Sequence, residues 1–383
     1  MIDLGMSDAE FRASRLERGF LHHKAAVLAP HPTWRDVDTL LHAVDPRTPF
    51  VQLFQHGRVQ DGSTYLEEDA RSVFGRVSLS RRRLYQALSG GATLVLNRLE
   101  SFMPFAAHAC QNLGERMGMP ATANAYLSFS HANGGEATFG AHWDTHDVFV
   151  LQLLGRKRWR VYEPTWLLPH SSQTSQGSRH RRPTVPVFEC ILEAGDLLYL
   201  PRGWWHEVEA SDQTSFHLSV GLYPKSVADY VQWTAMQVLP ALYEARKSLE
   251  LSTTFDLQMA IRTLAAALGD PAHLAAFRRE SAGHRSAPSP LDLELLSGEA
   301  TLHEDDKAQL VSGVVHRAID GEVHVDARLH LDADKKFILS ALAKKGPLSI
   351  GALCSLLGKT PSDVVRRALI ELFFDDAIIL RRR

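Results

Sequence analysis

The chain has 383 residues, of which 45% are hydrophobic and 22% are charged, and its formal net charge is -2. This length exceeds what one hydrophobic core usually supports, so two or three domains are predicted. The composition is that of a globular protein and excludes a disordered or fibrous class. The near-neutral charge gives no global electrostatic case for binding to nucleic acid or to a membrane.

Cysteine usage and the N-terminal residues predict the cellular compartment. The three cysteines, Cys110, Cys190 and Cys354, lie far apart and form no CxxC pair, so neither a disulfide framework nor a thiolate zinc site is predicted. The stretch MIDLGMSDAEFRASRLERGF carries acidic residues early and has no apolar core of a signal peptide. No run approaches the roughly 18 apolar residues of a membrane span. A cytoplasmic location is therefore expected.

The predicted elements begin with a mostly helical segment over 7–41, which Pro30 and Pro32 interrupt. Short alternating or apolar runs follow, separated by Gly, Pro, Asn and Asp: FVQLFQHGRV, ATLVLNRL, ANAYLSFS, DVFVLQLL, KRWRVYEP, DLLYLP, WWHEVEA and FHLSVGLYP. Strands of this spacing predict an all-β barrel or sandwich as the main body. The segment 165–186 is rich in Ser, Gln, Arg and Pro and has no periodicity, so a surface loop or lid is predicted there.

The last part of the chain has a different pattern. After Pro224, Ala- and Leu-rich amphipathic segments predict a helical domain. The stretch SAGHRSAPSP, residues 281–290, is predicted to be a linker. From residue 291 a third module is predicted, with three helices and a closing strand. The sequence TPSD at 360–363 predicts the start of one of these helices, with Thr360 as N-cap.

Two short segments predict a metal site. His142 and Asp144 are two residues apart, so on a strand they would project from the same face. A third ligand is offered by His206, which follows a Gly-Asp turn and a Pro-Arg-Gly turn. Two histidines and one carboxylate leave three coordination positions open, which is typical of non-haem ferrous oxygenases rather than of closed zinc sites. The open positions predict a bidentate 2-oxo acid and dioxygen as co-substrates of an Fe(II) centre.

The segment GRKRWRVY predicts an anchor for that 2-oxo acid. By strand parity Lys157 shares one face with Trp159 and Val161, while Arg156, Arg158, Arg160 and Tyr162 lie on the other. A buried lysine is costly unless an anion meets it, and the distal carboxylate of 2-oxoglutarate would do so. The three arginines are predicted to be solvated or bound to loop carboxylates.

Two residues beside the metal motif have open roles. His146 and Asp147 either contact the substrate or the metal, or they close the turn and orient a ligand from behind. The sequence does not choose between these interpretations.

At these residues the sequence resembles the JmjC family of 2-oxoglutarate oxygenases in the cupin superfamily, and within it the ribosomal oxygenases. The matching pieces are GATLVLNRLE, NAYLSF, HWDTHDVFVLQLLGRKRWRVYEP and LEAGDLLYLPRGWWHEVEA. The resemblance implies a double-stranded β-helix catalytic domain with an N-terminal helical region over 1–225. It also implies a helical dimerisation domain over 226–285 and a C-terminal winged helix over 291–383.

The resemblance also implies the site residues. Iron is expected at His142, Asp144 and His206, and 2-oxoglutarate at Lys157. Tyr126 matches a position near the co-substrate, and Ser219 is expected to hydrogen-bond to it; strand parity places Ser219 and His217 on one face. The stretch SFSHANGGEATFGA, with His131 and Glu136, is longer than the family's turn, and together with 165–186 it is expected to border the substrate mouth.

The predicted function is Fe(II)- and 2-oxoglutarate-dependent hydroxylation of a protein side chain, by resemblance an Arg or His of a ribosomal protein, in a homodimer. One alternative keeps the chemistry but changes the substrate to a ribosomally made peptide or to methylated lysine. Another is a winged-helix regulator that senses a metabolite. Its recognition helix would carry Asp363 and Glu371 beside Arg366 and Arg367, which is hardly a basic stripe, so direct nucleic-acid binding is not expected.

Overall fold

The computed structural model describes residues 2–28, 30–47, 49–68, 77–129, 139–209, 214–248, 257–282, 291–311, 315–317, 323–325, 329 and 331–382. The chain forms two compact units, Met1–Pro224 and Lys225–Arg383. Their division lies next to the domain boundary predicted at residue 225. Among the described residues, none of the helices combines the length and the apolar character that crossing a bilayer requires.

The first unit contains four helices and twelve strands among its described residues. The helices are α1 Asp8–Ser14, α2 Trp34–Ala43, α3 Arg81–Ser89 and α4 Pro104–Met117. The strands are β1 Leu21–His23, β2 Val51–Gln55, β3 Arg58–Val59, β4 Leu66–Glu68, β5 Val77–Leu79, β6 Thr93–Leu96, β7 Ala121–Ser128, β8 Asp147–Tyr162, β9 Phe188–Glu193, β10 Leu197–Leu200, β11 Trp205–Glu209 and β12 Ser215–Leu222. The prediction that residues 7–41 are mostly helical is wrong at Leu21–His23, because these residues form β1, which pairs with β10 at the edge of the large sheet.

Apart from β4 and β5, which pair only with each other, the strands of this unit form two sheets that the long strand β8 joins. The large antiparallel sheet has the order β1-β10-β8-β12-β7-β6-β2-β3. Up to Gly155, β8 pairs with β10 and β12 in this sheet; from Arg156 onward it pairs with β9 and β11 in the small sheet. Gly155 has a φ of +66°, and a Cβ there would lie 1.7 Å from the Thr214 carbonyl oxygen. The crossing from one sheet to the other therefore requires glycine.

Helices cover the outer face of the large sheet. In α4 the buried residues recur at helical spacing: Ala106, Ala109, Cys110, Leu113, Gly114 and Met117. Phe11 of α1 lies against Phe149 and Tyr199, with ring centroids 5.6 and 4.9 Å away. This core fixes one face of β8 and β10, so their opposite face is available for a site between the sheets.

The second unit is described by itself. Its helices are α5 Val227–Val238, α6 Leu257–Leu268, α7 Pro271–Ala282, α8 Leu293–Ser297, α9 Ala333–Lys345, α10 Ile350–Leu356 and α11 Ser362–Phe374. Its strands are β13 Lys307–Leu310, β14 Val315–Arg317, β15 Val323–Val325, β16 Leu348–Ser349 and β17 Ile378–Arg381. From α9 onward the order is helix, strand, helix, helix, strand, and β13 pairs with both β16 and β17. The winged helix and the separate domains 226–285 and 291–383 stay predictions, and residues 283–290 of the predicted linker lie outside the described residues.

The predicted start of the last helix is shifted by one residue. The N-cap of α11 is Pro361, and no side chain caps the helix. The hydroxyl of Thr360 instead lies 3.3 Å from a carboxylate oxygen of Asp334. A tertiary contact therefore takes the group that the sequence pattern assigns to a local cap.

Candidate metal centre

Three side chains from two distant segments converge between the sheets. One ligand atom each from His142, Asp144 and His206 lies within 4.8 Å of the others. His206 lies on β11, whereas His142 and Asp144 precede β8, so the prediction that they lie on a strand is wrong. Instead, a single bridge joins the two histidines: the amide of His142 donates to the carbonyl of His206 at 3.0 Å, and the amide of His206 donates back at 2.8 Å.

Backbone carbonyls fix the orientation of both imidazole rings. Nδ1 of His142 lies 3.0 Å from the carbonyl oxygen of Gly140, and Nδ1 of His206 lies 3.2 Å from that of Trp204. Because a carbonyl only accepts, each Nδ1 carries the proton and each Nε2 keeps a free lone pair. Nε2 of His206 lies 3.6 Å from a carboxylate oxygen of Asp144. This donor set fits a divalent transition metal.

The electrostatics of the three side chains favour the protonation states of metal ligands. Burial, assisted by the neighbouring His142, lowers the pKa of His206 to about 4, so its imidazole is neutral at physiological pH. Burial acts to raise the pKa of Asp144, but the attraction of His206, His146 and His142 outweighs it and holds that pKa below its ordinary value. A neutral imidazole and a carboxylate are the states that bind metal.

The three side chains line a cavity of about 220 Å³ between the sheets. Its other lining residues are Thr93, Thr122, Asn124, Tyr126, Phe139, His146, Val148, Lys157, Trp159, Leu200, Val208, His217, Ser219, Gly221 and Tyr223. The structure thus brings every predicted site residue into one cavity. Lys157 lies four residues along β8 from Val161, the register partner of His206, so the cavity has a metal end and a second end at Lys157.

Lys157 lies at that second end. Its side chain is on the inner face of β8, as strand parity predicts, and the residue is only 4% exposed. Its ammonium donates a hydrogen bond to the hydroxyl of Ser128 at 2.7 Å. Burial is the cause that lowers the pKa of Lys157, from 10.5 to about 8. Among the described residues no carboxylate lies within ion-pairing distance of this ammonium, so an incoming anion would find it available.

Residues of β7 and β12 form the floor between the two ends. Tyr126 and His217 are register partners, and their rings stack with centroids 4.9 Å apart and planes 10° apart. Burial, with the nearby Lys157 charge, lowers the pKa of His217 to about 3, and its Nδ1 has no hydrogen-bond partner among the described residues. Ser219 lies two residues further along β12, opposite Asn124. A flat, neutral floor of this kind suits a planar carboxylate-bearing molecule.

His146 and Asp147 have different surroundings. His146 lines the cavity and stacks on Tyr223, with ring centroids 4.8 Å apart. Asp147 is fully buried, is not among the lining residues, and accepts a hydrogen bond from the backbone amide of Arg202 at 2.8 Å. The contacts of Asp147 therefore fit the interpretation that it closes the turn, whereas His146 lines the cavity.

The loop 165–186 approaches the same cavity. Its short helical turn Gln176–Arg181 places Arg179, whose guanidinium donates to the carbonyl oxygen of Phe139 at 3.1 Å. Thr165 accepts a hydrogen bond from the indole of Trp205 at 2.8 Å. These contacts put the loop beside the metal end. The other predicted border, with His131 and Glu136, lies outside the described residues.

The arginines on the outer face of β8 have partners other than those predicted. Arg158 pairs with Glu189 at 2.6 Å, and Arg160 pairs with Glu189 and with Glu209. These carboxylates lie on β9 and β11, which flank β8, and not in loops. Cross-strand neighbours on one face supply the partners because their side chains project the same way.

Sequence reasoning missed residues that line the cavity, namely Tyr223 and Phe139, and residues that contact the site from behind, namely Ser128 and Arg202. Ser128 is two residues after Tyr126 and Tyr223 is four after Ser219, so strand parity carried a signal for both. Phe139 and Arg202 belong to irregular segments, where no periodicity predicts the direction of a side chain.

Comparisons with known proteins agree with this architecture. Residues 100–230 match the family model of the JmjC domain. Ribosomal oxygenase 1 of Rattus norvegicus is 36% identical over 165 residues, which cover 42% of this chain and 26% of that protein. The bifunctional lysine-specific demethylase and histidyl-hydroxylase NO66 of Drosophila persimilis is 34% identical over 139 residues, covering 35% of this chain and 19% of that protein. The chain thus spans about a quarter or less of these relatives.

A solved structure extends the likeness to the whole chain. The ribosomal oxygenase YcfD of Escherichia coli, in complex with cobalt and 2-oxoglutarate, has a TM-score of 0.59 and 17% identity, and the match covers 99% of both chains. This likeness shows the fold, and together with the JmjC match over residues 100–230 it confirms the predicted fold class of a JmjC-type β-helix with added helical regions.

Proposed function

Because residues 100–230 form a JmjC domain, we propose that this protein is an Fe(II)- and 2-oxoglutarate-dependent hydroxylase of a protein side chain. The observation that carries the proposal is the convergence of His142, Asp144 and His206 at one end of a cavity whose other end holds the buried Lys157. A metal triad alone fits several chemistries. The buried Lys157, which pairs with no carboxylate among the described residues, adds a place for a dicarboxylate co-substrate.

In this proposal His142, Asp144 and His206 would hold the iron. His142 and His206 would bind through Nε2, since their Nδ1 atoms face carbonyls, and Asp144 would bind through its carboxylate. Bound Fe(II) supplies the activation of dioxygen that couples decarboxylation of 2-oxoglutarate to hydroxylation of a C–H bond. Three protein ligands leave the remaining positions for the co-substrates.

The remaining cavity residues would bind and orient the co-substrate. Lys157 would pair with its distal carboxylate. This negative charge would raise the pKa of Lys157 back toward its ordinary value, so the lysine would be protonated in the complex. Tyr126 and Ser219 line the same cavity, where they would contact the co-substrate. Apolar walls at Val148, Trp159 and Leu200 would keep water from the reacting atoms.

The proposed substrate is an Arg or His side chain of a ribosomal protein. It rests on the names of the relatives, which include ribosomal oxygenases and a histidyl-hydroxylase. The same names include a lysine-specific demethylase, so methylated lysine is the second candidate. We also propose a cytoplasmic location, where such a substrate is found. Direct binding to nucleic acid or to a membrane is not part of the proposal.

We also propose that two chains pair through the helices of 226–285, as part of a three-domain division with a C-terminal winged helix over 291–383. Apolar side chains on these helices are largely exposed in one chain: Val227 at 79%, Met236 at 68% and Leu257 at 56%. A pairing of two chains would cover these apolar side chains. Sedimentation showing a monomer at micromolar concentration would contradict the pairing.

The function is tested by anaerobic reconstitution with Fe(II), followed by addition of oxygen, 2-oxoglutarate and ribosomes stripped from an untreated culture. We expect 2-oxoglutarate to be converted to succinate. Mass spectrometry of the ribosomal proteins after the reaction should find one oxygen atom added to one of them. The Asp144→Ala variant is the control and should show neither. Loss of a methyl group from lysine instead would favour the second candidate, and turnover by Asp144→Ala equal to that of the unaltered protein would contradict the proposal.

A further inference from the structure

A buried charge network lies directly behind the metal centre. Arg202 occupies the corner between β10 and β11, and its side chain is 9% exposed. Its Nη2 atom is 2.7 Å from a carboxylate oxygen of Glu17, and its Nη1 atom is 3.6 Å from Oδ1 of Asp147. Asp147 is fully buried. One arginine therefore joins the segment after α1 to the first residue of β8.

This network holds the turn that leads to His206. The amide of Arg202 donates to Oδ1 of Asp147 at 2.8 Å, and the amide of Gly203 donates to the carbonyl oxygen of Asp144 at 3.0 Å. Asp144 thus anchors the turn with its carbonyl while its carboxylate faces His206. Any movement of the turn is coupled to the two segments that carry the triad.

The outer end of the network is itself fixed. Glu17 has a φ of +62°, a conformation that non-glycine residues rarely adopt. Its amide donates to the hydroxyl of Tyr199 at 3.0 Å, and Tyr199 is fully buried. The backbone of Glu17 is therefore anchored to the core. Glu17 thus gives Arg202 a partner whose backbone is held in place.

The network is not optimised for stability. Oδ2 of Asp147 and Nη1 of Arg202 are buried and make no hydrogen bond with the described residues. Buried polar atoms are normally paired, and leaving them unpaired destabilises the fold. Charged groups retained in such surroundings are better explained by a geometry that they enforce than by the stability that they add.

We infer that Asp147 and Arg202, with Glu17 behind them, are positioning residues of the metal centre: they lock the Pro201–Trp204 turn so that His206 meets His142 and Asp144. The inference rests on the proposed metal binding. None of the three residues is expected to contact the metal. They act through the backbone of the turn, as partners behind a metal ligand commonly do.

The test measures the affinity of the full chain for Co(II), a stand-in that does not oxidise in air, by competition with a chelator. Asp147→Asn and Arg202→Met should each weaken binding by about 10- to 100-fold. Arg202→Lys keeps the charge but loses the forked contact, so its affinity should lie between. Each measurement is made well below the unfolding temperature of that variant, and the visible spectrum of bound Co(II) should report an altered ligand geometry.

Arg160→Met is the matched control. It removes the ion pairs of Arg160 with Glu189 and Glu209 from the small sheet, which also contains the strand of His206. Arg160 contacts neither Asp144 nor the Pro201–Trp204 turn in these ion pairs. Its Co(II) affinity should equal that of the unaltered protein. If Arg202→Met does not fold, Arg202→Lys and Asp147→Asn decide the matter.

Two outcomes overturn the inference in distinguishable ways. If folded Asp147→Asn and Arg202→Lys bind Co(II) as tightly as the unaltered protein, or if Arg160→Met loses as much affinity as they do, the inference fails alone. If the unaltered protein takes up no Co(II), the proposed function fails and the inference fails with it.

Discussion

The two ends of the cavity are built differently. At the co-substrate end, Lys157, Tyr126 and Ser219 lie within β8, β7 and β12, so hydrogen-bonded strands set their directions. At the metal end, His142 and Asp144 lie outside the strands: His142 is bridged to His206, and the carbonyl oxygen of Asp144 accepts a hydrogen bond from the turn at Gly203. A regular sheet positions side chains through backbone pairing, whereas an irregular segment needs specific partners for each group. The metal end should therefore be the more sensitive to changes at a distance.

The largest expected effect separates the two ends outright. His142→Ala removes one of three ligands, so Fe(II)-dependent succinate release should fall to background. Lys157 and its surroundings are untouched, so the fold should persist, which circular dichroism checks. His42→Ala, at an exposed position on α2, is the control and should retain full activity. Iron-dependent turnover in His142→Ala would break the assignment of the metal end.

The next effect belongs to the co-substrate end. Lys157→Met keeps the length of the side chain but removes the charge, and 2-oxoglutarate affinity should fall by about 100- to 1,000-fold because a buried carboxylate loses its partner. Co(II) affinity should stay unchanged, and calorimetry can measure both. A variant that lost Co(II) and kept 2-oxoglutarate would reverse the comparison between the two ends.

A smaller effect concerns stability without ligands. The pKa of Lys157 is about 8 in the fold against an ordinary 10.5, so between these values the unfolded chain holds a proton that the folded chain has released. Stability should rise with pH across that window. Below it the buried ammonium destabilises the fold by about 3 kcal/mol. Lys157→Met should therefore be the more stable protein at pH 7, with an advantage that shrinks toward pH 10 in urea titrations; a constant difference would contradict the burial of a charge.

The same difference explains what the sequence could predict. Parity along a strand correctly placed Lys157, Trp159 and Val161 on the inner face of β8, and it placed His217 with Ser219. Period-two alternation depends only on neighbouring residues, so it is visible in the sequence. The residue types and the family resemblance identified the triad, but its geometry was wrongly assigned to a strand.

What the sequence could not predict depends on long-range partners. Nothing near Asp147 signals that Arg202 binds it, because 55 residues separate the two. The edge strand β1 forms only because β10 is beside it, and Thr360 leaves its expected cap for Asp334. Tertiary contacts of this kind override local preference, and they concentrate where the chain is irregular.

The central claim is that His142, Asp144 and His206 hold one metal ion while leaving positions for the co-substrate. The most direct measurement is a titration of the unaltered protein with Co(II), followed by visible spectroscopy as 2-oxoglutarate is added without oxygen. The account predicts a single tight equivalent whose spectrum changes when 2-oxoglutarate binds, and no such change in Lys157→Met at the same concentration. Absence of a stoichiometric Co(II) site, or a bound ion whose spectrum ignores 2-oxoglutarate, would contradict it.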